Sequence, residues 1–263
     1  MRNSRVLQKT RTGHTAFATT LHLRSADVFE MIGQTGFDGI WLDLEHHPIS
    51  EFQAAELIRA ARAGGTDVIA RPGNGEYQRM ARLLEAGAAG IMYPRCQSAD
   101  DARQAVAWAK FAPVGRRGCD GSNADADFGS HTLSKYLQHA HQQTFLILQI
   151  EDPTALEQIA EIAAVPGVDF LMLGPGDYSI QVGVPGQIFH PLVTAAQQQV
   201  ADAAVAAGIA LAATSVSVDH ARQLAEQGAA LIFAGCDLLF VRDGLNQLHA
   251  QLQQIAERTQ ADH

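Results

Sequence analysis

GFDGIWLDLEHHPIS, residues 36–50, contains the repeating unit of this chain: a glycine, a short apolar run, polar residues at its end, and a serine. Gly36 is the expected C-terminal stop of a preceding helix. The apolar run that follows reads as a strand buried on both faces. Ser50 with Gln53 forms a capping-box pattern that opens the next helix. Outward from this segment the unit recurs, with Gly64-Gly65 before DVIAR, Gly87 before GIMYPR, Gly167 before DFLMLG, Gly208 before IALAATS and Gly228 before ALIFAG. AFATTL (16–21) and TFLILQIE (144–151) bring the candidate strands to eight. Asp152-Pro153 places a cap before an N1 proline, and Ser98 and Ser217 precede further amphipathic stretches.

Strands alternating with helices of about 10–15 residues imply βαβ units and a parallel sheet. Eight such units in 263 residues predict one (β/α)8 TIM barrel spanning 1–263; a doubly wound open sheet is the alternative. In a barrel, chemistry sits at the C-terminal ends of the strands. There the sequence supplies His46, Arg71, Arg95, Glu151, Asp177, Ser215 and Asp237.

In QIEDP (149–153), residues two apart share a face, so Gln149 and Glu151 point together while Leu148 and Ile150 point oppositely. LGPGDYS (173–179) reads as a tight turn, Gly174-Pro175-Gly176, followed at once by Asp177. Its backbone N–H groups can approach a carboxylate closely while Asp177 binds a cation. Two carboxylates with water and a bidentate oxygen ligand suit Mg²⁺ or Mn²⁺ and tolerate Co²⁺. His46 can take and return a proton near neutral pH. Arg71 can hold a substrate carboxylate or a developing oxyanion.

The chain has only three lysines, Lys9 near the N-terminus, Lys110 at a helix end and Lys135 in a loop-like stretch, and none ends a strand. A Schiff-base aldolase, which requires a desolvated barrel lysine, is therefore not expected. The turns AATSVS and AGCDLL lack the glycine pair of a barrel phosphate site, which predicts a substrate without phosphate. A net charge of −9 argues against nucleic acid or an anionic membrane as partner. There is no apolar run of about 20 residues and no signal-peptide pattern. Three scattered cysteines read as reduced thiols, so a cytoplasmic location is expected.

Taken together, GFDGIWLDLEHHP, VIARPG, LLEAGAAGIMYPR, PVGRRG, LILQIED and FLMLGPGDYS, in this order, resemble the HpcH/HpaI family over residues 13–245. The resemblance implies a phosphoenolpyruvate/pyruvate-type barrel and a metal-dependent (class II) pyruvate aldolase. Such an enzyme cleaves a 4-hydroxy-2-oxo acid to pyruvate and an aldehyde, with neither a Schiff-base lysine nor a nucleotide cofactor. It further implies His46 as base, Arg71 as stabiliser of the enolate oxygen and Glu151 and Asp177 as metal ligands. Gln149 becomes a substrate contact, and the Gly176 and Asp177 amides become the seat of the pyruvate carboxylate. Family members carry an aspartate that raises the basicity of the histidine; Glu85 stands at that position here. A homo-oligomer, a hexamer built as two trimers, is also implied. The acceptor aldehyde would be chosen by loops after strands one and two, with His22, Arg24, His47 and 119–129 as candidates. A CoA-ester lyase, an oxaloacetate decarboxylase and a non-catalytic carboxylate binder are the alternatives.

Overall fold

The apolar runs pair in sequence order, parallel throughout, and the last returns to the first to close the ring. The computed structural model describes the backbone of residues 1–261 and the side chains of residues 1–255. Its strands are β1 (Ala16–Leu21), β2 (Gly39–Asp43), β3 (Asp67–Arg71), β4 (Gly90–Tyr93), β5 (Phe145–Ile150), β6 (Phe170–Leu173), β7 (Ala210–Ser215) and β8 (Ala229–Cys236). The helices of the first half are α1 (Arg5–Thr10), α2 (Ala26–Gln34), α3 (Glu51–Gly64), α4 (Tyr77–Glu85), α5 (Ala99–Ala109) and α6 (Leu133–Gln143). Those of the second half are α7 (Pro153–Glu157), α8 (Ile159–Ala163), α9 (Pro175–Gln181), α10 (Pro191–Ala207), α11 (Val218–Glu226) and α12 (Asp237–Ala261). The fold is the (β/α)8 barrel that the repeating unit predicts, and not the open sheet.

The predicted boundaries hold where their chemistry is local. Ser50 and Gln53 close a reciprocal capping box, and Ser98 and Ser217 accept from backbone amides at the starts of α5 and α11. Asp152 caps α7, with Pro153 at its first position. Gly65 and Gly208 end α3 and α10 with φ of 84° and 68°, the left-handed region that only glycine enters without a Cβ clash. Two expectations change. GPGD opens the short helix α9 instead of forming a free turn, because Pro175 is preset for the first helical position. Lys135, read as lying in a loop, falls within α6.

Alternation along the strands separates two cores. Phe145, Ile147, Phe170, Met172, Ile69 and Met92 fill the barrel interior, while Leu146, Leu148, Ile150, Leu171, Leu173 and Val68 face the helices. Val6 and Leu7 of α1 join the inner cluster and close the N-terminal end of the barrel. That plug is tied to β3, because Asp67 accepts from Ser4 Oγ (2.6 Å) and from the Val6 amide (3.0 Å). The lysines sit away from the rim: Lys110 joins Asp169 (2.7 Å) and the Thr144 carbonyl, next to the starts of β6 and β5. Lys9 joins Asp38, just ahead of β2. Among the described residues no helix is long and apolar enough to cross a membrane.

Outside the barrel, α2 and α3 cross at Gly33 and Gly64 with their backbones in contact. A Cβ on Gly33 would strike the Gly64 carbonyl, and a Cβ on Gly64 would strike that of Glu30. G33A and G64A should each cost about 1–3 kcal/mol, since backbone gives way less readily than a side chain. Urea denaturation measures this; losses near zero in both variants would show that the helices do not approach this closely.

Candidate active site

The alternation of β2, β3 and β5 decides which side chains meet at the rim. Trp41 packs on the inner cluster, so Asp43, two residues on, shares its face; Ile69 does the same for Arg71, and Ile147 for Gln149. Asp43 and Arg71 are register partners on adjacent strands. Arg71 Nε and Nη2 donate to the two carboxylate oxygens of Asp43 at 2.9 and 2.8 Å, a bidentate pair. Arg71 Nη1 donates to Gln149 Oε1 at 3.3 Å, and the guanidinium lies 4.6 Å from the Trp41 ring centroid. Glu45 Oε2 stands 3.3 Å from Arg71 Nε and 3.7 Å from His46 Nε2. Burial pushes the Asp43 carboxyl up, but the Arg71 hydrogen bonds and charge outweigh it and hold the group below its ordinary value.

Glu151, one residue past β5, is buried, and its acidity shows what surrounds it. Burial first, and then the charge of Asp177, push its carboxyl up to about 7, while Arg71 and Arg95 pull only part of the way back. No hydrogen bond or ion pair joins either carboxylate to another described residue. Gly174 makes the approach possible: a Cβ there would overlap the Glu151 carboxylate itself. Gly176 has open space around it and lies with Asp177 in the first turn of α9, where backbone amides have no partner within the helix.

The structure thus brings together Arg71, Gln149, Glu151 and Asp177, with His46 exposed at their edge. It does not bring Glu85 to them. Glu85 is the last residue of α4, which runs from the rim end back toward the start of β4. Burial raises its pKa, and its charged neighbours are Arg117, Asp120, Arg82 and Asp125. The expected partnership with His46 is therefore not made within one chain. The segment 119–129 is likewise not a rim loop. It lies along the flank of α4, where the Asp125 amide donates to the Glu85 carbonyl and Arg62 donates to the Ala124 carbonyl.

Three features escaped the sequence reading. Asp43 as the holder of Arg71 was signalled by the D-L-E spacing, which puts Asp43 and Glu45 on one face. Trp41 beneath the guanidinium had no signal beyond its place two residues before Asp43. The third is a group formed by His22, Cys236 and Asp237, where β1 and β8 meet. Nothing in the sequence joins positions this far apart.

A closed parallel barrel whose rim gathers carboxylates, a fixed arginine and an open histidine is the frame of a barrel enzyme. The chain belongs to the HpcH/HpaI aldolase/citrate lyase family, whose model matches residues 20–243. It is 38% identical over 172 residues to a hydroxypyruvate/pyruvate aldolase of Sagittula stellata, covering 65% of this chain and 67% of that protein. It is 34% identical over 238 residues to a 2-dehydro-3,6-dideoxy-6-sulfogluconate aldolase of Pseudomonas putida, covering 89% and 91%. The crystal structure of an HpcH/HpaI aldolase from Desulfitobacterium hafniense superposes with a TM-score of 0.89 at 29% identity, covering 94% and 95%. The protein is a carbon–carbon lyase of the aldolase type.

The Asp43–Arg71 pair has a pH signature. A folded value below the ordinary 3.8 means that Asp43 contributes stability above about pH 4, lost as acidification passes through the lower folded value. D43N should therefore be less stable than wild type by about 3–5 kcal/mol near neutral pH, because it strands a buried guanidinium. In urea melts at a series of pH values, that difference should shrink below about pH 4. A pH-independent difference would contradict the pairing.

Proposed function

We propose that this chain is a metal-dependent pyruvate aldolase, cleaving a 4-hydroxy-2-oxo acid reversibly to pyruvate and an aldehyde. The reading rests on one observation: the buried Glu151 carboxylate feels the charge of Asp177, neither carboxylate has a hydrogen-bonded or ion-paired partner among the described residues, and the arginine whose charge reaches Glu151 is one that Asp43 holds fixed. A divalent cation suits this pair. The two groups offer only oxygen donors, and Gly174 leaves the Glu151 carboxylate the room it occupies. Such an ion, Mg²⁺ or Mn²⁺ with Co²⁺ as substitute, supplies Lewis-acid polarisation of the substrate oxygens.

The chain's own residues do the rest. The Gly176 and Asp177 amides receive the substrate carboxylate, and Gln149 orients the 2-oxo group beside Arg71. Arg71 Nη1, the arm not committed to Asp43, stabilises the charge that grows on the enolate oxygen. His46, exposed at the edge of the group, removes the C4 hydroxyl proton as the C3–C4 bond breaks and returns it in condensation. Contact with the aldehyde is assigned to the loops after β1 and β2, which carry His22, Arg24 and His47. Three unpaired thiols support a cytoplasmic location.

The assembly we propose is a homo-oligomer, a hexamer of two trimers. What supports self-association is α12. Leu238, Val241, Leu245, Leu248 and Leu252 are exposed along it at helical spacing. An apolar cleft of about 420 Å³, lined by Phe17, Phe37, Val216, Val218, Ala221 and Phe240, opens beside β1 and β8. A second copy's α12 matches that cleft in chemistry. Sedimentation should find wild type associated and L245D/L248D dissociated; a monomeric wild type rejects the assembly.

Exchange of pyruvate methyl protons for deuterium in D2O tests the chemistry. EDTA should abolish exchange and Mn²⁺ restore it; E151A should abolish it at any metal level, and R71K should lower it by about 10²–10³-fold. H46A should lose aldehyde addition. Unchanged exchange and addition in both E151A and H46A would overturn the assignment of this site.

A further inference from the structure

We propose a second metal site of different chemistry at the joint between β1, β8 and α12, where His22, Cys236 and Asp237 bind one zinc-class ion. His22 follows β1, Cys236 ends β8 and Asp237 begins α12. Strand pairing sets Thr20 opposite Cys236, which brings these distant positions to one corner of the rim. The donor atoms converge: His22 Nδ1 is 3.0 Å from Cys236 Sγ and 3.5 Å from Asp237 Oδ1, and Sγ is 3.8 Å from Oδ1. Among the described residues this is the one group of His, Cys, Asp or Glu that places three such donors within 4.8 Å of one another.

The triangle has the size of a tetrahedral face. Zn–S of about 2.3 Å with Zn–N and Zn–O of about 2.0–2.2 Å gives ligand–ligand edges of about 3.4–3.6 Å. The three observed separations straddle that range, so shifts of a few tenths of an ångström complete the face. The carboxylate is already fixed, since it accepts from the amides of His22 (3.0 Å), Leu23 (2.7 Å) and Leu238 (2.8 Å). Those bonds are the outer support that orients a metal ligand. The fourth position falls to water or to His47, whose ring centroid lies 4.5 Å from that of His22.

Charge also balances. Cys236 releases its proton to solvent and binds as thiolate, His22 binds neutral through Nδ1, and Asp237 binds as carboxylate. A dication then makes the site neutral in a half-buried corner, taking the place of the proton between Sγ and Nδ1. Sulfur and imidazole donors select Zn²⁺ over Mg²⁺ or Mn²⁺, whereas Glu151 and Asp177 offer oxygen alone. The chain therefore carries two sites of opposite preference on one rim. His47 stands between this corner and the Asp43–Arg71 pair, with its Nε2 3.8 Å from Asp43 Oδ2. This inference does not depend on the aldolase reading.

Substitution with Co²⁺ in the presence of excess Mg²⁺ tests it, because a cobalt–thiolate bond gives an intense near-ultraviolet charge-transfer band that oxygen and nitrogen ligands do not. Wild type and C119S, which lacks only the exposed thiol, should show the band, and E151Q should keep it. C236S should lose it. Competition with a chromophoric chelator should give one tightly held Zn²⁺ per chain under the same Mg²⁺. C236S and H22A should weaken it by more than about a hundredfold, beyond what loss of an outer-shell partner costs. Absence of the band in wild type, its persistence in C236S, or Zn²⁺ affinity unchanged in both C236S and H22A would each overturn the site. Loss of pyruvate exchange in E151A with the cobalt band intact would separate the two metal sites.

Discussion

A guanidinium that is 5% exposed inside a barrel is tolerated only because a carboxylate meets it in two places at once. Removing an unpaired ion from water costs several kcal/mol, and the Asp43–Arg71 pair offsets that cost with fork-to-fork geometry. The rest of the rim is arranged around this pair. Its third arm reaches Gln149, Glu45 leans on its Nε, and Trp41 covers its plane. Lysine, with one point charge, could not make these contacts together. Parallel pairing without offset between β2 and β3 puts both partners at one level on the inner face.

Around that fixed charge the site is built by close approach. Glu151 occupies space that any side chain on residue 174 would fill, so the sharp passage from β6 into α9 is also what admits the carboxylate. Glu151 and Asp177 then raise the local demand for positive charge, which Arg71 and Arg95 meet only in part. The barrel beneath supplies rigidity. Its interior is filled from wall to wall by Phe145, Phe170, Met92 and Met172, and α1 seals the far end.

Much of this was legible along the chain. The glycine before six of the apolar runs and the serine or aspartate before α3, α5, α7 and α11 are local signals, because capping and left-handed turns involve neighbours in sequence. With the apolar runs themselves, they located all eight strands and the starts of α3, α5, α7 and α11. Spacing by two predicted that Gln149 and Glu151 point together, and Ile147 in the inner cluster fixes which way. The same spacing, D-L-E, carried Asp43 and Glu45 without saying what they would touch.

Other residues could be ranked only in three dimensions. Glu85 is near LLEAG glycines and well placed in a linear motif, yet α4 runs back from the rim and carries it to the opposite end of the barrel. The segment 119–129 is polar and glycine-rich like an active-site loop, but it binds the flank of α4. The corner of His22, Cys236 and Asp237 exists because the ring closes, β8 beside β1. The sequence by itself determined the barrel, its strand order and the donor types at each strand end, since these follow from short-range periodicity and caps. Closure and helix direction decided which of those donors meet, because they set the distance between residues that no local pattern connects.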